Sequence, residues 1–165
     1  MTDEAVILLV EDGEDDVLFI RKAFAKANLD NPIHAVRDGE DAVAYLSGEG
    51  EYANRAEHPL PDLIFLDLKM PRMDGFQVLE WLRTQPGIRG IPVVVLTTSE
   101  EMRDVNRAYA LGANSFLVKP MDFQNTVKLC KILGRYWLQL SMTPEISRPP
   151  HPAQEPENPP SRPPP

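Results

Sequence analysis

The chain has little cysteine, histidine or positive charge. Cys130 is its only cysteine, so no disulfide can form within the chain and a reducing compartment such as the cytoplasm is expected. In an apolar helical stretch it reads as a small core residue. The histidines His34, His58 and His151 are too scattered to suggest a metal cluster. No apolar run approaches the length of a membrane span, and Met1-Thr2-Asp3-Glu4 is acidic where a secretory leader would be basic. Lysine and arginine number 17 against 25 acids, a net charge of -8. Direct contact with nucleic acid or an anionic membrane is therefore not expected. The sequence also lacks the phosphate-binding G-x-x-x-x-G-K-[ST] loop, the dinucleotide G-x-G-x-x-G turn and the G-x-S-x-G nucleophile elbow.

What the chain does have is a set of short apolar runs that end in polar groups. Val6-Ile7-Leu8-Leu9-Val10 ends in Glu11-Asp12, and Leu63-Ile64-Phe65-Leu66 ends in Asp67. Val93-Val94-Val95-Leu96 ends in Thr97, and Phe116-Leu117-Val118 ends in Lys119-Pro120. A carboxylate beside a hydrophobic strand is costly unless it meets water, a cation or a reaction. If these runs lie parallel, their carboxyl ends gather acids, a hydroxyl and one ammonium in one crevice, where open α/β sheets place their sites.

The spacing predicts five strands alternating with five helices. The strands are expected over Val6–Val10, Ile33–Val36, the run ending at Asp67, the run after Pro92, and Ser115–Val118. The helices are expected from about Glu14 to Asn28, from the cap Asp38 to Leu46, from the capping-box pair Asp74 and Gln77 to Pro86-Gly87, from the pair Thr98 and Glu101 to Gly112, and from Phe123 to Leu140. Such alternation implies a doubly wound α/β fold, with a parallel sheet covered on both faces. Glu49 to Pro61 interrupts the pattern and reads as an extended surface loop. The domain is expected to span 1–140. Ten of the 17 prolines fall between Pro144 and Pro165, so 141–165 reads as a disordered, proline-rich tail.

The acids suggest a metal-assisted phosphoryl site. Mg²⁺ prefers oxygen ligands, and Glu11, Asp12 and Asp67 offer carboxylates, with the Lys69 backbone carbonyl as a further ligand at the turn. Asp67 is the candidate covalent phosphoryl acceptor. Lys119 would share the anionic oxygens and Thr97 would donate its hydroxyl to one of them. Asp12-Gly13-Glu14-Asp15-Asp16 faintly resembles a calcium loop, but Val17 stands where that loop needs glycine and Ala23 where it needs glutamate. Asp15 and Asp16 read as a solvated first helical turn.

Val10-Glu11-Asp12, Asp67-Leu68-Lys69-Met70-Pro71, Asp74-Gly75, Leu96-Thr97-Thr98-Ser99 and Lys119-Pro120 resemble, in order, the motifs of the receiver domain of two-component response regulators. The resemblance implies a flavodoxin-like five-stranded sheet of order 2-1-3-4-5 and phosphotransfer to Asp67 from a sensor histidine kinase. It implies a switch in which Thr97 moves toward the phosphoryl group and Phe116 rotates inward, and a cis Lys119–Pro120 bond. It also implies a phosphoacceptor that assists its own chemistry, not an enzyme acting on a separate substrate, and a downstream protein that reads its state. Gly50-Glu51-Tyr52-Ala53, Ala113-Asn114 and Tyr136-Trp137-Leu138 narrow the resemblance to single-domain regulators paired with bacterial and cyanobacterial phytochromes. Glu11 stands where aspartate is more common in the family. Thr98 stands where many members carry alanine or glycine, so its branched side chain is expected to tune access to the phosphoryl group.

Tyr136, Trp137, Leu138 and Leu140 over-supply the end of the fifth helix with apolar surface. A homodimer through that helix and its extension is expected, with Tyr136, Trp137 and Leu138 in the contact. The alternative is that these residues fold back on the domain itself. Two other functions share the site residues. One is a receiver-like interaction module that is never phosphorylated, against which the intact acid set argues. The other is a metal-dependent phosphohydrolase, for which no substrate-binding cap is visible.

Overall fold

The three central strands are apolar runs with no polar interruption in their cores, as strands buried on both faces require. β1 (Ile7–Val10), β3 (Leu63–Leu66) and β4 (Val93–Thr97) are buried throughout. β2 (Ile33–Val36) and β5 (Ser115–Val118) carry polar or exposed residues and form the two edges. The computed structural model describes residues 5–146 and pairs all five strands in parallel, in the order 2-1-3-4-5. Ile7 pairs with Ile33 on one side and with Leu63 on the other, and Val94 pairs with Ser115.

The two-residue period of a strand sorts the side chains into two cores. Leu8, Val10, Ile64, Leu66, Val93 and Val95 face one layer, with α2 (Gly39–Ser47), α3 (Gly75–Arg83) and α4 (Met102–Ala110). Ile7, Leu9, Leu63, Phe65, Val94 and Leu96 face the other, with α1 (Glu14–Lys26) and α5 (Phe123–Leu133). Val127, Cys130 and Leu133 form the inward face of α5.

Asp38 caps α2 through the Asp41 N–H (2.8 Å), and the Asp74–Gln77 capping box opens α3. The Thr98–Glu101 box does not form. α4 starts only at Met102, with Glu101 at the cap position and no side-chain bond. Thr98 is exposed, and Ser99 ties this turn instead: its hydroxyl donates to Asp104 Oδ2 (2.6 Å) and accepts from the Glu101 N–H (3.4 Å).

Three further expectations need correction. The Lys119–Pro120 bond is trans, like every other peptide bond among the described residues. Trans is the intrinsically favoured form by about 0.5–1 kcal/mol. The segment from Glu49 to Pro61 is not an extended loop. It makes a 3₁₀ turn at Gly50–Tyr52, and Arg55 then donates to the Tyr45 (2.6 Å) and Leu46 (2.9 Å) carbonyls at the end of α2. The last carbonyls of a helix run short of backbone donors, so a guanidinium is favoured there, at Tyr45 beside the Gly48 N–H (3.2 Å). The buried Tyr45 donates to the Pro59 carbonyl, and Tyr52 donates to Asp41 (both 2.8 Å).

The third correction concerns the C-terminus. α5 continues to Leu140, but Gly134–Leu140 is π-helical and closes with the Ser141 N–H on the Tyr136 carbonyl (2.6 Å). The fold also passes the expected boundary at 140. A Cβ on Gly90 would come within 3.1 Å of Pro144, and Ile146 packs against the core that faces α2, α3 and α4. An apolar side chain gains by covering that edge, so Pro144 and Ile146 lie against the domain past the expected boundary. The rest of the proline-rich tail, 147–165, lies outside the described residues.

Candidate functional site

Register brings the acids together. Val10 pairs with Leu66, so the next residues, Glu11 and Asp67, emerge side by side at the carboxyl end of the sheet. The Asp67 N–H donates to the Val10 carbonyl and the Glu11 N–H to that of Val36 (both 3.0 Å). Glu11 and Asp67 are nearly sealed from solvent, whereas Asp12 is exposed. The three residues can each offer a carboxylate oxygen lying within 4.8 Å of the others. Behind Asp67 there is no spare room. A Cβ on Gly75 would sit 2.2 Å from the Asp67 carbonyl oxygen, so glycine lets the start of α3 back directly onto the acid.

Lys119 answers this cluster from the end of β5. Its ammonium donates to the Glu11 carboxylate, lies 3.3 Å from Asp67 Oδ2 and 3.8 Å from Asp16 Oδ2. The other Asp67 oxygen, Oδ1, accepts from the Leu68 N–H (2.7 Å). Burial pushes the Glu11 carboxyl up to about 7. The hydrogen bond from Lys119 opposes this rise and the neighbouring Asp67 adds to it. Burial alone would lower the Lys119 pKa, but its hydrogen bond to Glu11 and the charges of Asp67, Glu11 and Asp16 outweigh burial and raise it. Three carboxyl groups thus face one ammonium, and one of them resists ionising. A hard divalent cation with oxygen ligands fits this surplus of negative charge.

The other predicted residues fall around this centre. Lys69 lines the same open recess as Asp12, together with Asp74, Phe76 and Arg107. Thr97 is fully buried, and its hydroxyl accepts a long bond from the Ser99 N–H (3.5 Å). Phe116 is half-buried against the core that faces α4. Thr98 is exposed and borders, with Lys119 and Met121, an apolar cavity between α1 and α5.

The residues assigned to a dimer contact separate. Leu138 is 3% exposed and packs in the core beneath α1 and α5, so within one chain it is not available to a partner. Trp137 is half-buried against the same core. Tyr136 is exposed, and so are Ile132 and Leu140 on the same flank. Sequence reasoning missed Ile132, because an isoleucine between Lys131 and Leu133 in an amphipathic helix carries no signal of exposure. Asp16 is exposed, as its reading as a solvated acid requires, and the fold adds its approach to Lys119. Sequence reasoning also missed the pairing of Arg72 with Asp38, since nothing in the spacing links two residues on different turns.

The family model of the response regulator receiver domain matches residues 7–131. Response regulator Rcp1 of Synechocystis is 38% identical over 143 residues, covering 84% of this chain and 95% of the relative. The phosphorylated cyanobacterial phytochrome response regulator RcpA superposes with a TM-score of 0.79 at 37% identity, covering 86% of this chain and 99% of that one. The Mn²⁺-bound form of Rcp1 superposes with a TM-score of 0.76 at 37% identity, covering 85% and 99%.

Proposed function

Because the chain belongs to the response regulator receiver family, we propose that it is a single-domain regulator phosphorylated on Asp67 by a sensor histidine kinase. The observation that carries this reading is the Asp67 carboxylate, held between the Glu11–Asp12 pair and the Lys119 ammonium. An oxygen of Asp67 forms the new bond to phosphorus as the P–N bond of a phosphohistidine breaks. The imidazole leaves with the bonding pair and is protonated. The Leu68 N–H fixes one Asp67 oxygen and so orients the carboxylate toward the donor. Lys119 follows the charge from the acid to the phosphoryl oxygens, and the Thr97 hydroxyl donates to one of them.

Glu11, Asp12, Asp67 and the Lys69 carbonyl would hold Mg²⁺, which when bound neutralises charge on the transferring group. The Mn²⁺-bound form of the relative Rcp1 supports binding of a divalent ion. The phytochrome regulator among the similar structures supports a phytochrome-class kinase as the donor. The output is a change in protein contacts, relayed by Thr97 and Phe116 and tuned by Thr98. A homodimer through the outer flank of α5 is part of this reading, supported by the exposed Ile132, Tyr136 and Leu140. The net charge of -8 points away from nucleic acid, and no helix among the described residues is long and apolar enough to cross a membrane. The cytoplasm, where the kinase's phosphohistidine is presented, is the compartment this chemistry needs.

The test is acyl-phosphate formation with Mg²⁺ and a small phosphodonor or a phosphorylated kinase, read by intact mass. Asp67→Asn is expected to stay folded and unlabelled. Equal labelling of the variant would sink the assignment.

A further inference from the structure

We propose that Arg72 is a positioning residue for the cation site: paired with buried Asp38, it clamps the loop of residues 67–74 to the start of α2, in the shape that lets the Lys69 carbonyl face the acids. This rests on the receiver reading above.

The loop is fixed at both ends and strained in the middle. At one end the Asp67 N–H binds the Val10 carbonyl. At the other the Gly75 N–H binds the Leu68 carbonyl (2.9 Å), and the capping box of Asp74 opens α3. Between them, Arg72 has φ +66°, a left-handed conformation that a long side chain rarely adopts. The Met73 N–H closes on the Pro71 carbonyl (2.8 Å), so Arg72 sits at the apex of a three-residue turn with positive φ, the rarer and more strained hand of that turn. Such a turn persists only where its surroundings over-determine it.

The surroundings are two contacts with α2. The Arg72 guanidinium pairs with Asp38, whose side chain is almost wholly buried although that of Arg72 is mostly exposed. A buried carboxylate without a cation is costly, and this pairing is what lets Asp38 carry charge while capping α2. One residue along, the Met73 carbonyl accepts from the Gly39 N–H (3.0 Å). A Cβ on Gly39 would lie 2.2 Å from that carbonyl, so the two turns touch with no side chain between them. Lys69 lies only three residues before Arg72, in the part of the loop that makes the wall of the recess beside Asp12. Releasing the clamp lets the strained turn relax, and the wall moves with it.

The test compares three full-length variants with wild type. Asp38→Asn keeps an oxygen for the Asp41 N–H and loses the charge. Arg72→Ala loses the guanidinium and keeps the strained backbone. Arg72→Gly loses the guanidinium and relieves the strain. The readouts are the Mg²⁺ dissociation constant by calorimetry and the amide exchange of Gly39 and Gly75 in the metal-free protein. Partners that orient a metal ligand from outside typically change affinity by about 10–100-fold, so roughly tenfold weaker binding is expected in all three, with faster exchange at both amides. Arg72→Lys should recover part of the affinity. Wild-type affinity in Asp38→Asn and Arg72→Ala would overturn the clamp, and so would full affinity in Arg72→Gly alone. A wild-type protein that binds no Mg²⁺ would overturn the proposed function, and the clamp with it.

Discussion

Leu138 and Leu140 stand two residues apart and should fail in opposite ways. Leu138 is 3% exposed and Leu140 is 65% exposed. Leu138→Ala removes buried carbons from the core between the sheet and α1 and α5, the cluster that also holds Ile7, Leu9 and Phe24. Such truncations cost about 2–5 kcal/mol, depending on how far the site collapses. Taking about 3 kcal/mol, a domain of this size should melt roughly 6–12 °C lower. Leu140→Ala touches no core and should change the stability of a single chain by less than about 0.5 kcal/mol. Its effect belongs to association. In a two-fold dimer each substitution acts twice, so about 1 kcal/mol per copy weakens dimerisation roughly thirtyfold. Thermal melts of dilute protein and sedimentation across a concentration series separate the two. If both variants melted alike, the packing of the π-helical end would be wrong. If wild type sedimented as a monomer at high micromolar concentration, or Leu140→Ala left its dimer intact, the outer flank of α5 would not be the contact.

Thr97→Ala should still accept phosphate yet transmit it poorly, because a hydrogen bond to a charged oxygen contributes about 1.5–3 kcal/mol to the switched state. The same phosphorylation-dependent change in oligomer state or partner affinity as in wild type would exclude Thr97 as the relay. Burial, then the charges of His58 and Arg21, lower the pKa of His34 below its ordinary 6.5. Folding therefore resists its protonation, so stability is level above about pH 6.5 and falls as the pH drops toward the folded value. Urea midpoints at about pH 7.5 and pH 5.5 should differ less in His34→Gln than in wild type, and an equal difference would exclude His34 as the cause.

The site centre was legible because it follows from strand order and strand ends. Once aliphatic runs of four or five residues are parallel and adjacent, the residue after each run must sit at the same rim. That places Glu11, Asp67 and Lys119 together. The limits of β2 and β5 were equally plain, since Pro32 and Gly112-Ala113-Asn114 punctuate their approaches. What escaped depends on contacts between distant turns. Arg72 meets Asp38 across 34 positions, and Arg55 finds the end of α2 only after the segment has folded back. Ile146 sits in a run of prolines and polar residues, where composition argues against packing. One well-placed side chain against an exposed core edge reversed that expectation. Leu138 failed for a different reason. An α-helical wheel gives no warning of a wider helical turn, and that turn brings Leu138 inward.

The π-helical end of α5 also sets the shape of the outer flank. Residues four apart in an α-helix advance slightly more than one full turn, so an apolar row at that spacing drifts around the axis. Where hydrogen bonds span five residues the turn is wider, and the same spacing falls short of a full turn. Only Ile132 and Leu133 of this stretch are α-helical, and both Tyr136 and Leu140 lie in the π-helical part. The row therefore drifts around the axis against the sense of an ordinary α-helical row. A second helix laid along it meets an apolar stripe slanted the opposite way from the one a regular α-helix would present.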